Sequence, residues 1–175
     1  MNNVMLDLET LGTGANSAIL SIGAVEMDFD SLALGREFYV VIDRQSCFDL
    51  GCTSDPATLK WWSDQSSEAR TVLSEPGIAA DKALAQFSIW APDYMELWGN
   101  GSDFDNAMLA ELYRKVGSET PWKFFNNRCY RTMKNMFPRV TFMRQGTHHN
   151  ALDDAKSQAM HMLKIVERMK DRNMA

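Results

Sequence analysis

The stretch Val4-Met5-Leu6-Asp7-Leu8-Glu9-Thr10 reads as a half-buried strand over Val4 to Leu8. On a strand, Asp7 and Glu9 share one face, and Leu6 and Leu8 share the other. Two carboxylates side by side at a strand end repel unless a cation lies between them. Hard cations such as Mg²⁺ and Mn²⁺ take such oxygen donors. An alternating strand with one face in solvent gives the same pattern, so Asp-x-Glu is not diagnostic alone.

After this stretch, a second strand is expected over Ile19 to Met27, a turn over Asp28 to Gly35, and a third strand over Glu37 to Ile42. Three strands so close in sequence imply an antiparallel meander. Beyond Pro56 the apolar period becomes helical. Short helices are expected over Ala57 to Trp62 and Ser67 to Leu73, and a longer one from Ile78 to Trp90, stopped by Pro92. Glu96 to Gly99 reads as a short strand, and Phe104 to Val116 and Cys129 to Met136 as helices. The last helix spans about Leu152 to Met169, with Leu152, Ala155, Ala159, Met162, Leu163 and Val166 as its apolar stripe. The pattern implies an α/β fold: one mixed sheet flanked by helices, in a single domain over residues 1–170 with a short tail at 171–175.

Composition narrows the class. A chain of 175 residues with 45% hydrophobic and 23% charged residues suits one globular core. No apolar run reaches the ~20 residues of a membrane helix, and the N-terminus lacks the basic start of a signal peptide. The three cysteines, Cys47, Cys52 and Cys129, are odd in number and lack CxxC spacing, so neither a disulfide framework nor a zinc knuckle is expected. Free thiols point to the cytoplasm. A net charge of −5 argues against a general nucleic-acid clamp. Residues 114–144, however, carry +7, which leaves −12 on the rest. That segment is either a phosphate-tracking surface, with Arg128 and Arg131 as candidates, or an ordinary solvated face.

Two further motifs carry chemistry. In Trp98-Gly-Asn-Gly-Ser-Asp-Phe-Asp105 a strand ends, a glycine-rich turn follows and a helix starts. Asp105 then shares the inward side with Met108, Leu109 and Leu112. Ser102-x-x-Asp105 fits a capping box equally well. The third motif is His148-His149-Asn150-Ala151-Leu152-Asp153-Asp154-Ala155. His149 and Asp154 converge only if His149 sits on the loop before the helix. Gly146 and Thr147 suit such a loop, and Asn150 is placed to cap the helix. Asp153 has the plainer role of an acid in a first helical turn.

At these residues the sequence resembles the DEDDh 3′–5′ exonucleases of the ribonuclease H-like superfamily. Within it, Thr58-Leu-Lys-Trp-Trp62 and Trp98-Gly-Asn-Gly101 look like the phage and prophage exodeoxyribonuclease VIII-type branch. Asp7 and Glu9 match the first motif, Phe104-Asp105 the second, and His149-x-Ala151-x-x-Asp154-Ala155 the third. His148 and Asp153 have the same spacing but do not complete that pattern. The resemblance implies hydrolysis with two Mg²⁺ or Mn²⁺ ions held by Asp7, Glu9, Asp105 and Asp154, with His149 as general base. It implies nucleic acid as partner, single-stranded DNA first and RNA as the alternative, with the backbone around Thr10 and Leu11 beside the terminal nucleotide. Trp61 and Trp62 are adjacent on a helix, so only one can be central in a core. The other either stacks on a base or packs under a loop.

Overall fold

The computed structural model describes residues 2–173. Five strands form one sheet in the order β3-β2-β1-β4-β5. β1 (Asn3–Thr10), β2 (Ile19–Asp28) and β3 (Ala33–Val41) are the antiparallel meander, and β4 (Glu96–Gly99) and β5 (Asn127–Cys129) extend the sheet in parallel.

The strand period of two sorts the core into two layers. Val4, Leu6 and Leu8 of β1 face a large cluster. It contains Cys47 of α1 (Arg44–Asp49), Trp62 of α2 (Pro56–Ser63), Phe87 of α3 (Ala80–Trp90) and Leu109 of α4 (Asp105–Lys115). Met5 faces the other way, with Val25 and Met27. The same cluster holds Tyr130 of α5 (Tyr130–Met136) and Ala155, Ala159, Met162 and Leu163 of α6 (Ala151–Asn173). The expected stripe of α6 is therefore its buried face.

Several boundaries differ from the sequence reading. α1 was not expected: six residues are too short for a periodic signal, and Asp43 starts the helix by accepting from the Gln45 amide. β5 is only three residues long and takes the start of the segment read as helix from Cys129. Ala33 and Leu34, read as turn, already pair with β2, and Gly35 lies within β3. The Ser67–Leu73 segment is a 3₁₀ turn over Ala69–Leu73. Ile78 bridges Ile42 instead of opening α3. α6 continues past Met169, so residues 171–173 of the expected tail are helical; residues 174–175 lie outside the described residues.

Two glycines let helices approach the sheet. A Cβ on Gly23 of β2 would lie 2.2 Å from the carbonyl carbon of Ala151, the first residue of α6. Gly23 pairs with Asp7 across the sheet, so this contact sets the start of α6 next to β1. A Cβ on Gly99 would meet the Asn106 Oδ1 at 2.3 Å, so the end of β4 similarly admits the start of α4.

Gly23→Ala should therefore destabilise through overpacking against backbone, by about 1–3 kcal/mol or more. Gly117→Ala is the comparison: its φ is +73° but nothing lies within 4 Å of an added Cβ. It should cost only the ~1–2 kcal/mol of a left-handed alanine. Urea melts of the two variants measure both. Equal, small losses would show that α6 does not press on Gly23.

Candidate active site

The C-terminal end of β1 opens into a cleft of about 700 Å³. Its walls include Asp7, Glu9, Thr10, Asp105, Asp154 and His149, contributed by strands and helices on both sides of the sheet. Each acid arrives by a different route. Asp7 and Glu9 share the β1 face that continues from Met5 toward α6. Asp154 descends from the first turn of α6, which Gly23 allows to sit on β2. Oxygens of Asp7, Glu9 and Asp154 all lie within 4.8 Å of one another.

Asp105 comes from the opposite layer. Its Oδ1 accepts from the Leu8 amide at 3.3 Å and its Oδ2 from the Asn100 amide at 3.0 Å. These bonds tie it to β1 and to the turn after β4. Helix α4 has no side-chain cap, so the capping-box alternative for Ser102 and Asp105 is not what forms.

His149 sits on the loop before α6, as convergence requires, with a φ of +63°. Its amide donates to Asp154 Oδ2 at 3.2 Å. Asn150 caps α6, accepting from the Leu152 and Asp153 amides at 3.1 Å each. Asp153 does more than open the helix: its Oδ2 accepts from the Thr147 amide at 2.7 Å and so staples the loop that carries His149. The His149 ring stacks on His148 with centroids 3.6 Å apart and meets Trp61 edge-on at 4.6 Å.

Helix α2 starts at the cap Asp55 with Pro56 in its first turn, and this places the tryptophan pair. Trp62 is buried, and its indole N–H donates to the Thr10 carbonyl at 2.9 Å. Trp61 is 41% exposed on the cleft wall. Thr10 is pinned further by its hydroxyl, which donates to the Gly12 carbonyl at 2.7 Å. Leu11 is a buried core residue and is not part of the cleft wall.

The basic stripe is not one surface. Arg131 and Arg144 line the cleft. Arg128 instead pairs with Glu96 at 3.0 Å and donates to the Phe125 and Asn127 carbonyls, outside the cleft. Arg114 pairs with Glu111, and Lys115 donates to the Leu50 and Gly51 carbonyls at the far end of α4. Folding divides a run of like charge among elements that point in different directions.

Two cleft residues had no assigned role in the sequence. Gln158 donates to Asp7 Oδ1 at 2.7 Å, and its own Oε1 has no hydrogen-bond partner. The available signal was a polar residue four positions after Asp154, within the inward-facing stretch of α6. Arg144 pairs with Asp154 Oδ1, though in sequence it was only one charge of the stripe.

Electrostatics show what the cluster needs. Burial pushes the Asp7 carboxyl well above its ordinary range, and Asp105, Glu9 and Asp154 push it further. Burial, then Asp154 and Asp105, raise Glu9 to about 8. Burial raises Asp105 to about 7 against its backbone hydrogen bonds. Among the described residues nothing is hydrogen-bonded to the Glu9 carboxyl. Such a set of crowded, under-neutralised oxygens fits a hard divalent cation. Burial lowers His149 first, and the neighbouring His148 adds to this.

Residues 2–166 match the family described as the 3′–5′ exoribonuclease Rv2179c-like domain. The chain belongs to that family. It is a 3′–5′ exonuclease. It is 26% identical over 161 residues to the exodeoxyribonuclease of Enterobacteria phage T4, spanning 75% of this chain and 70% of the phage protein. The nuclease domain of 3′hExo, described as a DEDDh family member bound to rAMP, superposes with a TM-score of 0.61 at 12% identity, over 95% of this chain and 92% of that one. Exonuclease I of E. coli, in complex with a dT13 oligonucleotide, gives 0.66 at 14% identity, over 98% of this chain but 42% of that one. These superpositions establish the ribonuclease H-like fold.

The raised carboxyls carry a sign. The folded exonuclease without metal holds protons more tightly at Asp7, Glu9 and Asp105 than the unfolded chain does. Its stability should therefore be greatest, from these groups, below their ordinary values of 3.8 and 4.5, and should fall as pH rises from there through 7 to 8. Glu9→Gln removes part of this penalty. In EDTA at pH 8.5 or so, that variant should melt above the wild type. Thermal scans at several pH values in EDTA test this, and a wild-type Tm that rises across that window would contradict the crowding.

Proposed function

We propose that this exonuclease removes nucleotides one at a time from 3′ ends of single-stranded nucleic acid, DNA first, using Asp7, Glu9, Asp105 and Asp154 to hold two Mg²⁺ or Mn²⁺ ions. The observation that supports this reading is the convergence of Asp7, Glu9 and Asp154 within 4.8 Å in a cleft that also holds Asp105 and His149. The ions would supply Lewis-acid polarisation of the phosphate and a more acidic attacking water.

The protein's own groups do the rest. His149, kept neutral by burial, accepts the proton of the attacking water. The water oxygen bonds to phosphorus as the bond to the 3′-oxygen of the preceding nucleotide breaks, and that oxygen takes a proton from solvent. The products are a nucleoside 5′-monophosphate and a chain with a new 3′-hydroxyl. Gln158 orients Asp7, and Thr10, held by Trp62, shapes the wall beside the terminal nucleotide. Trp61 is the exposed ring available to stack on a base, while Trp62 packs. Arg131 faces the backbone path.

RNA is the second reading, favoured by the description of the family. We take residues 1–170 as one exonuclease domain, because both helical layers pack on one sheet. Among the described residues no helix is long and apolar enough to cross a membrane. The three cysteines are unpaired, which suits a cytoplasmic location.

With 5′-labelled single-stranded DNA and RNA in Mg²⁺ or Mn²⁺, the wild type should give ladders that shorten from the 3′ end. Asp7→Asn should be inactive, and His149→Ala slower by roughly 10²–10⁴-fold. Internal cuts, or hydrolysis that survives EDTA, would reject the mechanism. Trp61→Ala should raise KM by about fivefold or more, the equivalent of ~1 kcal/mol of lost stacking. Trp62→Ala should instead cost about 3–5 kcal/mol of stability. Arg131→Gln should remove about one phosphate contact from the salt dependence of binding, whereas Arg128→Gln should leave it unchanged.

A further inference from the structure

His148 is exposed at the rim of the cleft, and the mechanism gives it no task. Yet one nitrogen of His148, one nitrogen of His149 and one oxygen of Asp154 all lie within 4.8 Å of one another. Asp154 thus belongs to two groups of donors. The first, with Asp7 and Glu9, is all oxygen and suits hard cations. The second has two imidazoles and one carboxylate, the donor set of Zn²⁺.

We propose that His148, His149 and Asp154 form a second, inhibitory site for Zn²⁺ or a similar borderline transition metal. Three protein ligands leave a fourth, tetrahedral position for water. Tetrahedral bonds of ~2.0–2.1 Å bring donor atoms to roughly 3.4 Å apart. The group needs only a modest closure, in which the stacked imidazoles fan apart and the Arg144 guanidinium yields Asp154 Oδ1. The supporting contacts are in place. The His149 amide holds Asp154 Oδ2, and the Thr147–Asp153 bond anchors the loop. Exposure of His148 leaves an entry path.

Occupation would stop the enzyme by two routes. Zn²⁺ on a His149 nitrogen removes the lone pair that accepts the water's proton. Zn²⁺ on Asp154 removes a carboxylate from the hard-cation group. Because nitrogen-containing sites prefer Zn²⁺ over Mn²⁺ and Mg²⁺, a small amount of zinc should compete with a large excess of the working ion. This inhibition rests on the proposed role of His149; the binding itself does not.

The test measures Zn²⁺ binding to the metal-free protein by competition with a fluorescent zinc indicator. Wild type, His148→Gln and His148→Ala are compared, each with excess Mg²⁺ present and absent. Hydrolysis of labelled DNA in Mg²⁺ is then titrated with Zn²⁺. Removal of His148 should weaken Zn²⁺ binding by about 10- to 100-fold or more. It should raise the zinc needed for inhibition in parallel, with inhibition expressed relative to each variant's own zinc-free rate. X-ray absorption at the zinc edge should show two imidazoles in the wild type and one in either variant. Equal zinc affinity in all three proteins, or an edge spectrum without imidazole, would overturn the site. If no nuclease activity exists, the reading of the cleft fails, and the binding and absorption data still decide the zinc proposal. Circular dichroism confirms that each variant is folded.

Discussion

Like charge held in a small, partly dehydrated space is the constraint on which this molecule turns. Asp7, Glu9, Asp105 and Asp154 occupy one cleft; burial pushes protons onto the first three, and repulsion between carboxylates adds to this at Asp7 and Glu9. Left to itself, such a cluster would come apart. It is held because each carboxylate is attached to something rigid: a central strand for Asp7 and Glu9, a helix start for Asp105 and another for Asp154. Stability elsewhere in the two apolar layers offsets the local cost, a pattern common to sites that must receive a charged ligand.

The position of the cleft follows from the sheet. β1 is central, antiparallel to β2 on one side and parallel to β4 on the other. At the C-terminal ends of the parallel pair the chain leaves the sheet, and the starts of α4 and α6 close over the exposed backbone. Gly23 and Gly99 permit those two approaches, since any side chain there would occupy the space of a helix. The acids thus arrive from both layers and meet where the strand ends. Hydrogen bonds then fix what packing brings near. The Leu8 and Asn100 amides hold Asp105, Gln158 holds Asp7, and the Trp62 indole holds Thr10.

Much of this was legible along the chain. Period-two alternation revealed the meander, and period 3.6 revealed α3, α4 and the buried stripe of α6. What escaped were elements too short to show a period, α1 and β5, and residues whose meaning depends on a partner distant in sequence. Gln158 is unremarkable until α6 lies on β1, 151 positions away. Arg128 and Arg131 look equivalent in the basic run. One is spent on Glu96 and the other faces the cleft, because a strand and a helix point their side chains differently. Asp153 read as a simple helix-start acid, but the Gly146 turn brings the Thr147 amide back to it.

By itself the sequence determined the chemical kit: four acids, a histidine on a loop before a helix, and the alternations that put Asp7 and Glu9 on one face. Local physics suffices for these, since strand and helix periods are properties of a few neighbouring residues. Only the tertiary structure decided which of Trp61 and Trp62 remains exposed, that Leu11 belongs to the core, and that His148 stands beside His149 and Asp154. Those outcomes depend on the close approach of helices to a sheet. That approach is set by contacts between segments far apart in the chain, where no spacing in the sequence can measure a distance.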